Sequence, residues 1–321
     1  MRALPNSRLW PFVLLLLTIF AALPASAGAV PRVVVTIKPL HSLVAGVMAG
    51  VAEPGLLIPG AGSPHSYSLR PSDARMLAHA DLVIRIDADF ETFLDRPLAT
   101  LAGRARVVSA AALPGVELLP ARAGGVWEAD QDHDEAAGGH DHTEMNLHLW
   151  LDPHNAMAIV RGTVAVLSQV DPAHADRYRS NGAALVARLQ QLDWELAAQL
   201  KPVAGIPYIV FHDAYPYLEH RYGLTPTGAI SVSPDRPPGA RRLTEIRAKI
   251  EQSGARCVFN EPQFEPKLAL LLSEGTGAKT SVLDPLGADL PPGPEAYFTL
   301  MHHLADHLVN CLTGPVPQPR S

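Results

Sequence analysis

The stretch Val33-Val34-Val35-Thr36-Ile37 decides how the rest of the chain is read. Five β-branched residues in a row, with no apolar–polar alternation, suit a strand covered on both faces, as in a parallel sheet. A helical stretch follows over Leu40–Met48, and Gly50 is a plausible stop for it. Outward from there the alternation continues. Leu56-Leu57-Ile58 reads as a short strand and Pro59 to His65 as a Gly/Pro-rich loop. Ser72 and Asp73 start a helix running to His79. Leu82–Ile86 is the next strand, Phe90–Leu101 a helix, and Val107-Val108 a strand again. A βαβα series of this kind predicts a parallel sheet with covering helices.

Beyond residue 144 the pattern changes and then resumes. Asp152-Pro153 supplies a cap and first-turn proline for a helix through Val170. Asp171-Pro172 repeats the device and opens a long helical stretch, in which Leu185, Leu189, Leu192, Leu196 and Leu200 recur at three- and four-residue spacing. That length suits a rigid spine. Strands are then expected over Tyr208–Phe211, Ala229–Val232, Cys257–Phe259 and Thr280–Leu283. Helices are expected over Pro216–Tyr222, Arg241–Gln252, Pro266–Ser273 and Glu295–Leu312. The fold class is therefore α/β: two (β/α) halves joined by a helix.

The ends bound the location. Arg2 and Arg8 precede an apolar segment over Trp10–Leu23 and the small-residue site Ala25-Ser26-Ala27, the pattern of a cleavable secretory signal over 1–27. That apolar segment is short for a membrane span. No cysteine follows the cleavage site, so a lipoprotein anchor is not expected. Removing 27 of the 321 residues leaves 294, enough for two moderate domains. The net charge of −6 becomes about −8 once the two signal arginines are gone. No basic field for nucleic acid or anionic lipid is present. Cys257 and Cys311 are the only two cysteines, and in an oxidising compartment they are expected to form one disulfide.

Between Glu128 and Glu144 lie seven carboxylates and three histidines, with no Lys or Arg. Such a tract has nothing to pack into a core, and its like charges repel. His133, His140 and His142 among those carboxylates are candidates for weak, reversible capture of divalent cations.

In open α/β sheets, ligands bind beyond the carboxyl ends of the strands. His65, His212 and Asp284 stand at such points, and His148 lies at the exit of the acidic tract, just before a capped helix. Each alone has an ordinary reading, as a loop residue, a satisfied histidine or the start of an Asp-Pro turn. Together, three neutral imidazoles and one carboxylate make a four-coordinate N/O site that suits zinc without sulfur ligands. His41, His79, His154, His174, His220 and His302 are weaker candidates. His303 and His307 stand i,i+4 on one helix.

The segments Ile37-Lys38-Pro39-Leu40, Ser63-Pro64-His65-Ser66-Tyr67-Ser68-Leu69-Arg70-Pro71-Ser72-Asp73, His148-Leu149-Trp150-Leu151-Asp152-Pro153, Phe211-His212-Asp213-Ala214-Tyr215, Asn260-Glu261-Pro262-Gln263-Phe264 and Leu283-Asp284-Pro285-Leu286-Gly287 resemble the zinc-binding periplasmic proteins of ABC importers, the ZnuA type. The resemblance spans essentially the whole chain after the signal, in the same order. It implies two lobes joined by a long rigid helix with the metal between them: 28–171 (including the tract 128–144), 172–201 as the linking helix, 202–313, and a tail over 314–321. It places metal ligation on His65, His148, His212 and Asp284, and implies delivery of zinc to a membrane permease by a monomeric carrier. Some relatives carry Glu immediately before the first histidine. Here that position is Pro64, which leaves Asp284 or water as the fourth ligand.

Two other readings compete. A manganese or iron carrier of the same fold would favour more oxygen ligands. A secreted metallohydrolase would need an open coordination position and a general base, and neither H-E-x-x-H nor G-x-S-x-G occurs.

Overall fold

The computed structural model describes residues 30–122, 127, 145–231 and 238–315. The signal over 1–27 and the tract histidines His133, His140 and His142 lie outside the described residues. Strand β1 (Val33–Val35) is buried throughout and leads into α1 (Lys38–Met48), with Pro39 in its first turn. There follow β2 (Gly55–Leu56), α2 (Pro71–Ala78), β3 (Leu82–Arg85), α3 (Asp95–Thr100) and β4 (Arg106–Ser109). The four strands pair in parallel, in the order β2-β1-β3-β4.

The helix expected over Phe90–Leu101 is shorter in the structure. A 3₁₀ turn (Thr92–Leu94) precedes α3, because the fully buried Glu91 turns inward instead. Its carboxylate accepts from the Thr36 hydroxyl at 2.6 Å and from the Ile86 and Asp87 amides at 3.0 Å each, which holds the segment as a loop. Burial pushes the Glu91 carboxyl up to about 7, against the pull of these donors.

A two-stranded antiparallel ribbon, β5 (Leu119–Pro120) with β6 (Met145–Asn146), flanks the acidic tract; nothing in the sequence pattern announced it. Next come α4 (Pro153–Val170), capped by the Asp152 carboxylate on the His154 amide, and α5 (Ala175–Leu200). The five leucines of α5 are buried, and the helix packs on α4, on α1 and on the last helix of the chain. The α4–α5 approach is close enough that a Cβ at Gly182 would overlap the Val164 side chain.

The second half holds β7 (Pro207–Val210), α6 (Pro216–Tyr222), β8 (Thr225–Ala229), α7 (Ala240–Ser253), β9 (Cys257–Asn260), α8 (Lys267–Ser273), β10 (Lys279–Val282) and α9 (Ala296–Thr313). Its sheet is parallel, in the order β10-β9-β7-β8. Strand β8 lies upstream of the expected Ala229–Val232. Pro226 and Gly228 hide it in the sequence, and an edge strand tolerates both. Each sheet sets its own first strand beside its second and third, so the two halves repeat one topology without a visible sequence repeat. Cys257 on β9 and Cys311 on α9 form a disulfide, with Cα atoms 6.2 Å apart. Among the described residues no helix is long and apolar enough to cross a membrane.

Candidate metal centre

The strand order within each sheet reverses between its first and third strands, and such switch points open a crevice at the carboxyl ends. In the second sheet that crevice lies between β7 and β9. It holds His212 just beyond β7 and Glu261 just beyond β9, with the His212 Nδ1 2.6 Å from the Glu261 carboxylate. From the first half come His65, on the loop between β2 and α2, and His148, in the turn after β6. The three histidines each bring a ring nitrogen to one point, all within 4.8 Å of one another. Their ring centroids stand 5.0 to 5.7 Å apart.

The partners of these rings settle where the protons sit. Asn146 donates its amide N–H to the Asp213 carbonyl at 2.6 Å, so its Oδ1 faces His148 and can only accept. It takes the His148 backbone N–H at 3.0 Å and the ring Nδ1–H at 3.1 Å. The Glu261 carboxylate likewise takes the Nδ1–H of His212. Burial pushes the Glu261 carboxyl up, and its charge attraction to His212 opposes that. His148 therefore turns an Nε2 lone pair into the cleft, and the His212 Nε2 lies 3.1 Å from it. With no proton between them, two Nε2 lone pairs at that distance repel. A tetrahedral ion with Zn–N bonds of about 2.0–2.1 Å would hold two such nitrogens roughly 3.3 Å apart and turn the repulsion into ligation. A carboxylate or amide oxygen on the far nitrogen is the usual partner of a metal-bound imidazole.

The surroundings keep His65 and His148 neutral. Burial pushes His65 down to about 3, helped by the neighbouring His212. It pushes His148 well below the ordinary range, with His212 and His65 adding to the effect. Phe90 lies edge-on to His65 and His148, with centroids at 5.0 and 5.3 Å, and Trp150 backs His148 at 5.2 Å. The cavity at this point is about 10 Å³, the space of one water-sized sphere. A larger cavity of about 690 Å³ lies elsewhere, along the end of α1 and Pro292–Pro294, and among the described residues no three His, Cys, Asp or Glu side chains converge there.

Asp284 lies outside the three-histidine cluster. Its Oδ1 accepts from the Leu286 amide at 3.0 Å and from Gln263 Nε2 at 2.9 Å, and its Oδ2 accepts from the Ala288 amide. These donors fold residues 284–288 into a turn, with Pro285 and Leu286 against the cleft. The first half grips that turn. Trp150 Nε1 donates to the Pro285 carbonyl at 2.8 Å, and the buried Lys38 donates to the carbonyls of Gly287 and of Ala288, the latter at 2.8 Å. Glu261, Asn146 and Lys38 escaped the sequence reading as site residues. Glu261 was accessible to it by the same strand-exit rule that picked out His212, whereas the roles of Asn146 and Lys38 depend on contacts across the fold.

The chain matches the family described as zinc-uptake complex component A, periplasmic, over residues 33–311. The high-affinity zinc uptake system protein ZnuA of Brucella suis biovar 1 is 45% identical over 312 residues, covering 89% of this chain and 93% of that protein. Its counterpart from Yersinia pestis is 35% identical, covering 87% and 91%. A crystal structure of ZnuA matches with a TM-score of 0.74 at 25% identity, over 88% of this chain and 99% of that one. With the α/β architecture and the histidine cluster in agreement, this chain belongs to the periplasmic zinc-uptake component A family of solute-binding transport proteins.

Proposed function

We propose that this protein captures zinc in the periplasm with high affinity and hands it to an inner-membrane ABC permease, as a monomeric carrier and not an enzyme. The observation that carries the reading is the pair of Nε2 atoms 3.1 Å apart with a ring nitrogen of His65 beside them. A metal ion bound there would turn that arrangement into ligation. His65, His148 and His212 supply three ligands. Asp284 already accepts from three donors, which favours water over it for the fourth position. The names of the relatives support zinc as the cargo. A cavity of about 10 Å³ has room for an ion but not for an ion with an organic substrate, which argues against hydrolysis. Export rests on the signal pattern over 1–27, cleaved after Ala27 with no lipid anchor. The lobes are proposed to run over 28–171 and 202–313 with 172–201 between them. His133, His140 and His142 would bind further zinc weakly.

The manganese or iron reading is separable. Manganese favours more numerous oxygen ligands, and three nitrogens bias the cleft against it. Metal analysis of the exported protein, followed by competition between zinc and manganese, tests the proposal. One equivalent of zinc and a strong zinc preference are expected, with the preference narrowed in His212→Glu. Manganese in the exported protein, or equal affinities for the two ions, would overturn it.

A further inference from the structure

We propose that α9 carries a second, weaker site for a divalent cation that favours imidazole, such as zinc, copper(II) or nickel(II), built from His303 and His307. The two residues stand i,i+4 on one helix, the spacing by which a helix presents two imidazoles to a single ion. Their rings lie side by side, with centroids 6.2 Å apart and planes 20° from parallel. His303 is exposed and His307 half-buried, so the pair is open to solvent.

One hydrogen bond prepares the site. The Nδ1 of His307 lies 2.8 Å from the carbonyl of Val282 at the end of β10. A carbonyl can only accept, so the proton sits on Nδ1 and the lone pair on Nε2. That is the tautomer in which metal-bound histidines are held. The helix beneath is fixed. Leu300, Leu304 and Leu308 are buried, Cys311 is tied to β9, and Gln199 on α5 donates to Asp306 at 2.7 Å. His302 faces Glu195 on α5 at 3.6 Å and is not a member of the pair. Two imidazoles leave the remaining positions to water, so binding is weaker and exchange faster than at the three-histidine centre.

The test uses the full chain already loaded with one equivalent of zinc. Copper(II) is added and paramagnetic broadening of backbone amide signals is followed by NMR. Broadening is expected around residues 300–310 and at Val282, and it should require at least tenfold more copper in His303→Ala and in His307→Ala. His303 is exposed, so its substitution does not disturb packing, whereas His307 also bonds to β10. Calorimetry with zinc should lose one weak site in His303→Ala and keep the tight one. Broadening confined to other regions, or unchanged at α9 in His303→Ala, would overturn the proposal.

Discussion

At the level of single residues, the histidines of the centre are held in two different ways. His148 and His212 have their tautomers set by Asn146 and Glu261, whereas His65 is kept neutral chiefly by burial. Replacing any one of the three by Ala removes a ligand, and zinc affinity in competition titrations should fall by orders of magnitude. Three single variants with undiminished affinity would refute the assignment. Glu261→Gln keeps an oxygen acceptor for the His212 N–H but removes its charge. A loss of roughly 10–100-fold is expected, as for other outer partners of metal-bound imidazoles. The same burial has a consequence for pH. His65 stays neutral in the folded protein down to about 3, whereas the unfolded chain takes up the proton near pH 6.5. Between those values the unfolded state binds more protons, so apo stability falls as the pH drops from about 6.5 toward 3. Denaturant midpoints of the apo protein measured from pH 7 to pH 5 should decline, and less steeply in His65→Gln. Equal slopes would show that other groups control the titration.

At the level of elements, the disulfide and the β5–β6 ribbon make separable claims. The bridge between β9 and α9 spans 54 residues of sequence and lies away from the metal centre. Replacing both cysteines with serine should lower unfolding free energy by about 2–4 kcal/mol, in line with the loss of loop closure, and leave zinc affinity unchanged. Urea titration of the two proteins reads the first effect and metal competition the second; a weakened zinc site would mean that α9 positions the cleft. The ribbon bears on the acidic tract. Its Asn146 holds His148, and Tyr217 donates to the Asn146 carbonyl at 2.6 Å, so β6 is held by contacts outside the tract. Removing residues 128–144 while keeping the ribbon should therefore abolish weak zinc binding and preserve the tight site. Loss of the tight site would show that the tract contributes to it.

For the whole molecule, the cleft is closed by bonds that cross from one half to the other, and Lys38 is the clearest of them. Its buried ammonium ends on two carbonyls of the turn that Asp284 shapes. Lys38→Met keeps the side-chain length but leaves those carbonyls unpaired in the closed form, at a cost of about 1–3 kcal/mol. Zinc release followed by stopped-flow chelation should quicken at least several-fold with stoichiometry unchanged; an unaltered release rate would mean that closure rests on other contacts. The sequence carried the alternation of strands and helices, the length of α5, the disulfide pair and the strand exits at which His65 and His212 stand. Those follow from local rules of burial period, capping and turn chemistry, which act over a few residues. It missed β8, where proline and glycine at an edge hide a strand, and it lengthened α3, where one inward carboxylate overrides a helical pattern. It is the assembled fold that sets His212 against Glu261, 49 residues away, and against His148 across 64 residues. It also put Asp284 to work on its own turn. The first pairing depends on which strands lie side by side in the second sheet and the second on how the two sheets are set against each other, and no interaction within a short window of the chain carries either.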